Sequence, residues 1–403
     1  MIRTLIYALA VFSASAAFAA GPSVYVVNGT GETLSRIAVD SNIVHNNIVS
    51  LGSDINAAPN QIVIRDTLAY VVCSATDEIQ MVNLRTNTTA GYIELPSGSN
   101  PYWLAFYNDS LAYVSLLTAN AVARLNVTTH QVVDQFPVGK TPEGLVIADH
   151  KLYVANTGFD FSTFMYDPGR VTVYDIGPDT LVADIAVGLN PQFLDVDREG
   201  LVHVSCTGDY FSVFGSAHIV DPQSDTVIDS VLPGGSPGQI AVGVDNIVYM
   251  AAGGFTEDGF VFSYDATTGA VYHGSSDPLE VDQNCLSVAA YSDSTLFTAS
   301  FTDFVQRIDA DGTELGRWAV GDGPFHIVVD YRPGDVNGDF ETDLSDLIYM
   351  VNELFLGGPP AVWPTWRANV NGDFNRDLSD LIYMVSFLYL GGPRLTPGPT
   401  WMQ

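Results

Sequence analysis

The 403-residue sequence is poor in cationic side chains and in cysteine. It contains 15 Lys and Arg residues against 46 Asp and Glu residues, which gives a formal net charge of −31. Nucleic acids and anionic membranes attract proteins through basic patches, so this composition argues against both as partners. The three cysteines form no Cys-x-x-Cys pair and are expected as buried thiols. An acidic chain of this kind is compatible with cation binding.

Long apolar runs are missing beyond the N-terminus, so we expect no membrane span. Residues 1–20 combine Arg3, an apolar core and the small-residue stretch Ala17-Phe18-Ala19, which is the pattern of a signal peptide. We therefore expect a chain that is secreted, extracellular or attached to a cell surface, and that starts near residue 21.

Helical periodicity is absent from residues 21–332, where a short motif recurs at intervals of roughly 40 to 50 residues. Its copies are VYVVN (24–28), AYVVC (69–73), AYVSL (112–116), LYVAN (152–156), VHVSC (202–206), VYMAA (248–252) and LFTAS (296–300). A turn, often Gly-x-x-Pro, and an apolar strand precede most copies. Repeats of this length with four short strands each predict an all-β, seven-bladed β-propeller.

The repeats also predict how the ring closes. The first repeat begins with its second strand at Val24, and the missing first strand stands at 324–330 as PFHIVVD. The stretches YVVN (25–28) and YVAN (153–156) resemble the YVTN-type β-propeller family over about 310 residues. That resemblance implies a fold but no single function, because propellers host binding, lactone hydrolysis and lyase chemistry.

Two neighbouring repeats carry long aromatic loops between their second and third strands, at 156–170 and 206–217. The predicted rim consists of Tyr102, Trp103, Phe159, Phe161, Phe164, Tyr166, Tyr210, Phe211 and Phe214. Aromatic side chains on long loops suggest a platform for a glycan or protein ligand. The alternative is that the two loops pack on each other and close a local core.

No motif of the sequence indicates an active site. Seven residues are expected at the fourth position after each turn proline or its equivalent: Val63, Ala105, Val146, Asp195, Ala241, Ser287 and Val328. Asp195 is the exception among small or apolar residues, and Glu143 and His326 are expected near the channel mouth. These three groups could perform acid–base catalysis or hold a metal, or the carboxylates could tie loops together.

Two acidic segments at 335–346 and 369–380 share the oxygen spacing of the EF-hand calcium loop. The predicted calcium ligands are Asp335, Asn337, Asp339, Glu341 (backbone carbonyl), Asp343 and Asp346 in the first loop, and Asn369, Asn371, Asp373, Asn375 (backbone carbonyl), Asp377 and Asp380 in the second. Because Asn369 carries no charge, the second site is expected to bind more weakly. Phe340 and Phe374 replace the usual glycine, and a left-handed Phe costs about 1–2 kcal/mol. The alternative is a pair of helix N-caps on acidic loops.

Each acidic loop leads into an apolar helix that ends at Gly-Gly-Pro. Residues 333–396, followed by a tail at 397–403, resemble a type I dockerin, which implies two calcium ions and docking onto a cohesin-type domain. The resemblance assigns partner recognition to Leu344, Ser345, Val351, Asn352, Leu378, Ser379, Val385 and Ser386. We therefore expect a non-catalytic binding or scaffold protein. The alternative is a lactonase-like or polysaccharide-lyase-like propeller enzyme targeted by its dockerin.

Overall fold

A computed structural model describes residues 23–39, 41–65, 67–243, 245–253, 258–292, 295–330, 334–337, 342–358, 361, 368–371, 376–392 and 395. The predicted signal peptide (1–20) and the predicted tail (397–403) lie outside these residues. So do the predicted calcium ligands Asp339, Glu341, Asp373 and Asn375, together with Phe340 and Phe374.

Seven antiparallel sheets form seven blades, which makes this part of the chain a seven-bladed β-propeller. Blade one contains β31 (Pro324–Asp330), β1 (Ser23–Asn28), β2 (Thr33–Ala38) and β3 (Ile43–Ser50). Blade two contains β4 (Pro59–Arg65), β5 (Leu68–Cys73), β6 (Glu78–Asn83) and β7 (Thr88–Glu94). Blade three contains β8 (Pro101–Phe106), β9 (Leu111–Leu116), β10 (Ala121–Asn126) and β11 (Gln131–Pro137).

Blade four contains β12 (Pro142–Ala148), β13 (Lys151–Asn156), β16 (Arg170–Asp175) and β17 (Thr180–Ala186), with a separate hairpin of β14 (Phe159–Asp160) and β15 (Met165–Tyr166). Blade five contains β18 (Pro191–Val196), β19 (Val202–Cys206), β20 (Ser216–Asp221) and β21 (Thr226–Val231). Blade six contains β22 (Pro237–Val242), β23 (Ile247–Ala252), β24 (Gly259–Asp265), β25 (Val271–His273) and β26 (Leu279–Val281). Blade seven contains β27 (Cys285–Ser292), β28 (Thr295–Ser300), β29 (Phe304–Asp309) and β30 (Glu314–Ala319).

The innermost strands of the seven blades contact one another in a closed ring. Strand β31 belongs to blade one, although it comes last among the strands in the sequence. It pairs with β1 in antiparallel register, with Val26 opposite Ile327 and Ser23 opposite Asp330. The C-terminal strand therefore joins the two ends of the ring and leaves no unpaired inner edge there.

The recurring sequence motif is the second strand of each blade. All six residues of β1 are buried, whereas the outermost strands β3, β11 and β17 are mostly exposed. The motif's aromatic residue lies opposite a small residue of the innermost strand, as in the pairs Val63–Tyr70 and Val146–Tyr153. Buried apolar clusters span neighbouring blades, for example blades two and three. Burial between blades on both faces explains why this strand keeps its apolar pattern in every repeat.

The C-terminal residues form two helices, α1 (Leu344–Leu356) and α2 (Leu378–Leu390). Asp343 and Asp377 cap their N-termini in capping boxes, and Gly357 and Gly391 end them with φ angles of 69° and 66°. Their shared core includes Val336, Leu347, Met350, Ala368, Val370 and Met384. Neither helix is long enough to cross a membrane, and no other helix in the described part of the chain does so.

Candidate functional site

The two long loops of blades four and five are built in the same way. Asp160 Oδ1 accepts hydrogen bonds from the N–H and hydroxyl groups of Ser162 (2.8 and 2.5 Å). Asp209 Oδ1 accepts the N–H groups of Phe211 and Ser212 (2.9 and 2.6 Å), and its Oδ2 accepts the Ser212 hydroxyl (2.6 Å). Hydrogen bonds from Lys140 and Ser162 lower the pKa of Asp160. Hydrogen bonds within the turn, chiefly from Ser212, lower the pKa of Asp209. Both loops are thus held in shape by ionised aspartates.

The tips of both loops carry aromatic side chains into solvent. Phe161 is 58% exposed, Phe211 93% and Phe214 74%. Phe164 and Tyr210 have φ angles of 56° and 64°, in the left-handed region that disfavours residues with a Cβ. Exposed apolar groups on a strained backbone are unfavourable in the free protein, so this arrangement is typical of a binding surface.

The loop of blade four has a small core of its own. The Phe159 ring contacts Phe161 edge-on at 5.1 Å between centroids, and it also contacts Phe164 (6.1 Å) and Tyr166 (5.1 Å). Lys140 Nζ lies 2.7 Å from Asp160 and 3.1 Å from Asp167, which fixes the loop to the turn before β12. The aromatic ring contacts of this loop, as far as the chain is described, lie within the loop and not with Phe211 or Phe214. The tips of the two loops therefore remain accessible.

Beneath these loops, three consecutive blades present the first residue after the turn proline: Tyr102, Glu143 and Gln192. Ser115 Oγ donates to the Glu143 carbonyl (2.6 Å) and accepts the Trp103 N–H (3.0 Å), which joins blades three and four. Thr207, at the base of the blade-five loop, donates its hydroxyl to Gln192 Oε1 (2.6 Å). The inner strands and the loops are thus connected by hydrogen bonds at the channel mouth.

Close approach of blades four and five at this level depends on Gly144. A Cβ atom at this position would lie 2.5 Å from the Gln192 carbonyl oxygen and 2.9 Å from the Phe193 Cα. Because backbone atoms cannot yield as a flexible side chain can, only glycine allows Glu143 and Gln192 to sit side by side.

Glu143 has an unusual electrostatic environment. Its Oε2 atom is buried and has no hydrogen-bond partner among the described residues. Burial raises the pKa of this carboxyl to about 8, since desolvation disfavours the charged form. At neutral pH the group is therefore mostly a neutral carboxylic acid. A raised carboxyl pKa in a site of this kind marks a functional candidate.

Three tyrosines surround this carboxyl. Desolvation raises the pKa of Tyr102, Tyr166 and Tyr210, and the negative charge of Glu143 raises all three further. The pKa of Tyr166 reaches about 12. Gln192 and Asn190 act in the opposite direction and lower the pKa of Tyr210. Residues from blades three, four and five and from both loops therefore lie close together, and we call them the channel-mouth site: Tyr102, Glu143, Tyr166, Gln192 and Tyr210.

An aromatic layer lies at the centre of the ring. The Trp103 ring contacts Phe193 of blade five (5.2 Å between centroids) and His326 of blade one (5.1 Å). His326 Nε2 lies 3.0 Å from Gln239 Nε2, and its Nδ1 accepts the Ile62 N–H at 3.4 Å. Burial lowers the pKa of His326 to about 3, so the imidazole is neutral. His326 thus lies as a neutral imidazole between residues of blades two and six, and it is not a cationic general acid at neutral pH.

Asp195 lies in the same ring of inner strands but has different partners. Its Oδ2 accepts the Val242 N–H and its Oδ1 the Val196 N–H, both at 2.8 Å. Burial raises the pKa of Asp195 to about 6. Opposite it stands His203, where other blades carry Tyr or Phe, bonded to Asp197 (3.1 Å) and Tyr264 (2.7 Å). Asp195 therefore connects blade five to blade six.

The structure brings some predicted residues together and separates others. Glu143, Tyr102, Tyr166 and Tyr210 converge, whereas Asp195 and His326 form hydrogen bonds elsewhere. The expected position of Ser287 was wrong, because Cys285 occupies the turn-proline position and Ala289 lies opposite Phe297. Gln192 and the two turn aspartates were missed. The repeated spelling Asp-Phe-Ser-Thr-Phe (160–164) and Asp-Tyr-Phe-Ser-Val-Phe (209–214) is the signal that could have revealed the aspartates.

Two clefts lie among the turns at the other end of the inner strands. One, of about 320 Å³, is bordered by Arg65, Phe106 and Asp109, and the other, of about 270 Å³, by Glu199 and Asp221 among others. Their charged groups already have partners within the protein, as in the Arg65–Asp109 pair at 3.0 Å and the Arg198–Glu199 pair at 2.9 Å. The channel-mouth site, with its unpartnered Oε2 atom, is the better candidate.

The described parts of the two acidic loops share one arrangement. Asp346 Oδ1 accepts the N–H groups of Val336 and Asn337 (2.7 and 3.0 Å), which brings the loop's first and last ligand positions together. Asp380 does the same with Val370 and Asn371 (2.9 and 3.4 Å). Within the described residues no three carboxylate, histidine or cysteine side chains gather at metal-binding spacing. Buried oxygen-bearing side chains at both loop ends nevertheless fit the hard-oxygen preference of calcium.

Both helices expose an apolar stripe with near-identical composition. On α1 it contains Leu344, Ile348, Phe355 and Leu356, and on α2 Leu378, Ile382, Val385, Tyr389 and Leu390. Of the predicted partner-binding residues, Ser345 and Ser379 are also exposed, and Val351, Asn352, Ser386 are half-buried beside these stripes. The helices differ at three corresponding positions (Asn352 and Ser386, Glu353 and Phe387, Phe355 and Tyr389), and Glu353 pairs with Arg376 at 2.8 Å.

Comparison with known proteins supports the propeller fold. No family model and no curated protein matches the sequence. Among solved structures, a functionally unknown protein from Desulfotomaculum acetoxidans has a TM-score of 0.58 at 14% identity, covering 77% of this chain and 98% of that one. A quinonprotein alcohol dehydrogenase-like protein from Bacteroides thetaiotaomicron has a TM-score of 0.56 at 15% identity, covering 77% and 78%. A streptogramin B lyase has a TM-score of 0.53 at 13% identity, covering 67% and 85%. At such identities the likeness extends to the fold alone.

Proposed function

We propose that this chain is a secreted, non-catalytic binding protein with two modules. A YVTN-type propeller recognises a glycan or protein ligand at the channel-mouth site and the aromatic loop tips. A C-terminal type I dockerin binds two calcium ions and attaches the protein to a cohesin-type domain. The observation that carries the propeller's role is the pair of aspartate-held loops whose aromatic tips stand exposed beside a buried, unpartnered Glu143 oxygen.

The strand topology supports the assignment of ligand binding to the propeller and attachment to the C-terminal module. The inner strand β31 begins at Pro324, on the face of the channel-mouth site, and ends at Asp330 on the other face. The chain therefore leaves the propeller for the C-terminal residues on the face away from the ligand site. This arrangement supports a proposal in which the ligand and the attachment partner bind at the same time.

The enzymatic alternative retains one supporting observation. Glu143, with a pKa of about 8, has the property of a general acid at neutral pH. However, Asp195 and His326 are engaged with Val242 and Gln239, and among the described residues neither forms a hydrogen bond with Glu143. A lactonase-like or lyase-like reaction would need a second group at the site, so binding is the better supported role.

Removing aromatic side chains from the loop tips tests the ligand surface. We expect Phe161→Ala and Tyr210→Ala each to weaken binding on glycan and protein arrays about ten- to thirty-fold, since buried aromatic anchors typically contribute 1–2 kcal/mol or more. Tyr272→Ala, in the outer strand of blade six, is the matched control because that side chain is also about half exposed, at 50%. Unchanged array binding in both loop variants would remove this surface from the proposal.

Exchanging the first ligand position between the two loops tests the calcium sites. Calorimetric titration of the calcium-depleted full chain should give two sites, the second weaker by on the order of tenfold because Asn369 lacks the charge of Asp335. Asn369→Asp should strengthen the second site, and Asp335→Asn should weaken the first to match it. Both side chains are buried, at 5% and 1% exposure, so the exchange conserves shape.

The calcium experiment also has a binding readout. Capture of the protein by a cohesin-type domain should be lost with chelator and should follow the affinity of the altered site. Glu314→Gln in the outer strand of blade seven serves as the control for loss of a carboxylate. If the calorimetric titration shows no heat of calcium binding, and a chelator does not change the protease resistance of the C-terminal helices, the dockerin assignment is wrong.

A further inference from the structure

The channel-mouth site contains a carboxyl group but no cation of its own. Lys140, the lysine next to this strand, is already shared by Asp160 and Asp167. No described Lys, Arg or His side chain forms an ion pair with Glu143. Buried carboxyl groups in proteins are generally paired, because an unpaired charge away from water is costly. Glu143 avoids this cost by staying protonated at neutral pH, and an ionised Glu143 would need a cation that the described residues do not supply.

The walls around this carboxyl attract positive charge as well. Tyr102, Tyr166 and Tyr210 come from different segments and lie close enough to Glu143 for its charge to act on their hydroxyls. The face of an aromatic ring carries negative potential and binds ammonium and guanidinium groups. A carboxyl group among aromatic rings is accordingly a suitable pocket for an organic cation.

The net negative charge of the whole chain also favours a cationic ligand. The chain carries a net charge of −31, and Asp209 stands ionised in the turn beside Tyr210. A negative field of this size raises the local concentration of cationic ligands and speeds their association. A neutral sugar would gain nothing from the field, although it could still use the tyrosine and glutamine hydrogen-bonding groups.

We propose that the channel-mouth site binds the positively charged side chain of a protein ligand, a lysine ammonium or arginine guanidinium, between the Glu143 carboxylate and the rings of Tyr102, Tyr166 and Tyr210. The exposed phenylalanines of the loop tips contact apolar residues that flank this cation. The inference rests on the proposed ligand-binding role of the propeller and specifies the chemistry of its ligand.

Binding of a cation has a pH dependence of defined sign. Free Glu143 is protonated below a pKa of about 8, so it must release a proton to pair with the cation. Affinity should therefore fall by up to about tenfold for each pH unit below 8. The neighbouring groups with shifted pKa values keep their charge state between pH 6.5 and 8.5: the pKa of Lys140 is raised, those of Asp160 and Asp209 are lowered, and those of the three tyrosines are raised. A neutral ligand that accepts a hydrogen bond from protonated Glu143 would show the opposite trend.

Two peptides that differ in one side chain test the inference by calorimetry with the full chain. The probes are N-acetylated, C-amidated Ala-Phe-Lys-Phe-Ala and the same peptide with norleucine in place of lysine. At pH 8.5 we expect the wild-type protein to bind the lysine peptide at least about tenfold more tightly. At pH 7, buffers of different ionisation enthalpy should report release of nearly one proton on binding.

Two variants assign the effect to Glu143. Glu143→Gln should bind both peptides equally and release no proton, whereas Glu94→Gln, at an exposed position of β7, should behave as wild type. Equal binding of the two peptides by the wild-type protein, a lysine preference that falls with rising pH, or failure of both peptides to bind would overturn the inference.

The outcome is distinguishable from failure of the proposed function. If the neutral oligosaccharide xylohexaose binds wild type and Glu143→Gln equally and is lost on Phe161→Ala, the site binds glycans and only the cation inference is wrong. If neither peptides nor array ligands bind and the loop variants change nothing, the proposed ligand surface fails as well.

Discussion

Truncation of the chain after Gly323 should prevent the propeller from folding, whereas truncation after Asp330 should leave it folded. The seven residues that differ form β31, the innermost strand of blade one. This strand pairs with β1 along its whole length and contacts the inner strands of blades two and seven. Without it, β1 would present an unpaired edge at the centre of the ring.

The expected loss is comparable to the stability of an entire domain. Ile327 and Val329 are 2% and 7% exposed, and burial of each such side chain contributes about 1.5–3 kcal/mol. The hydrogen bonds to β1 add about 0.5–1.5 kcal/mol each. Because domains are stable by only about 5–15 kcal/mol, removal of all these contacts should leave an unfolded or aggregated product.

Urea unfolding followed by circular dichroism, together with size-exclusion chromatography, checks this result. The chain ending at Asp330 controls for loss of the C-terminal helices, since both truncations lack them. Ile327→Asp in the full chain is a second test, because it places a charge in the cluster between blades one and seven. Equal urea midpoints for the two truncated chains would show that β31 is dispensable.

The propeller could be predicted from sequence because each repeat carries the same local physical constraint. The second strand of every blade is buried on both faces, so its apolar pattern and its central aromatic residue recur in a readable motif. Tyr25, Tyr70 and Tyr113 all occupy this position opposite a small residue of the inner strand. The prediction of a seven-bladed propeller is confirmed by the sheet topology.

The predicted register of the inner strand was wrong in blade seven, where the turn proline of the repeat is replaced. Blade seven has Cys285 where other blades have the turn proline, and the sequence offered no other marker, so Ser287 was assigned the place of Ala289. In the structure, Ser287 Oγ accepts the Ile327 N–H at 3.1 Å and links blade seven to blade one. A shift of two residues keeps the same face of a strand, which is why apolar alternation could not reveal it.

The channel-mouth site could be predicted only in part, because its properties arise from contacts distant in sequence. The spacing of the repeats placed Glu143 near the channel mouth and placed the aromatic loops between the second and third strands of their blades. It did not indicate that Trp103 would lie at the centre against Phe193 and His326, since those rings come from three different blades. Nor did it indicate the raised pKa of Glu143, which is caused by burial. Burial is a property of the assembled ring.

Replacing Glu143 with Gln should stabilise the protein at alkaline pH and leave its stability nearly unchanged below pH 4.5. The folded-state pKa of about 8 lies above the ordinary value of 4.5. Below pH 4.5 the carboxyl is protonated in both the folded and the unfolded chain. Between pH 4.5 and 8 only the unfolded chain loses the proton, so ionisation favours unfolding. Above pH 8 both states are ionised and the penalty is constant.

The size of the effect follows from the distance between the two pKa values. One pKa unit corresponds to about 1.4 kcal/mol, and partial access of solvent to the Glu143 residue reduces the full value, so we expect about 2–3 kcal/mol at pH 8.5. Gln keeps the shape and polarity of the side chain without the charge. Thermal unfolding of wild type and Glu143→Gln across pH 4 to 9 should show two melting curves that diverge as pH rises.

The Asp195 carboxylate, which has a structural role, is the comparison that shows whether Glu143 has a structural role or a binding role. Asp195 accepts two backbone N–H groups, so Asp195→Asn should destabilise the protein by about 1–3 kcal/mol, as expected when one partner of a buried hydrogen bond is altered. If Glu143→Gln also destabilised the protein at pH 8.5, Glu143 would have a structural role like that of Asp195. A stabilising substitution would instead identify Glu143 as a group that the fold retains at a cost in stability, which is the behaviour of a side chain kept for its ligand.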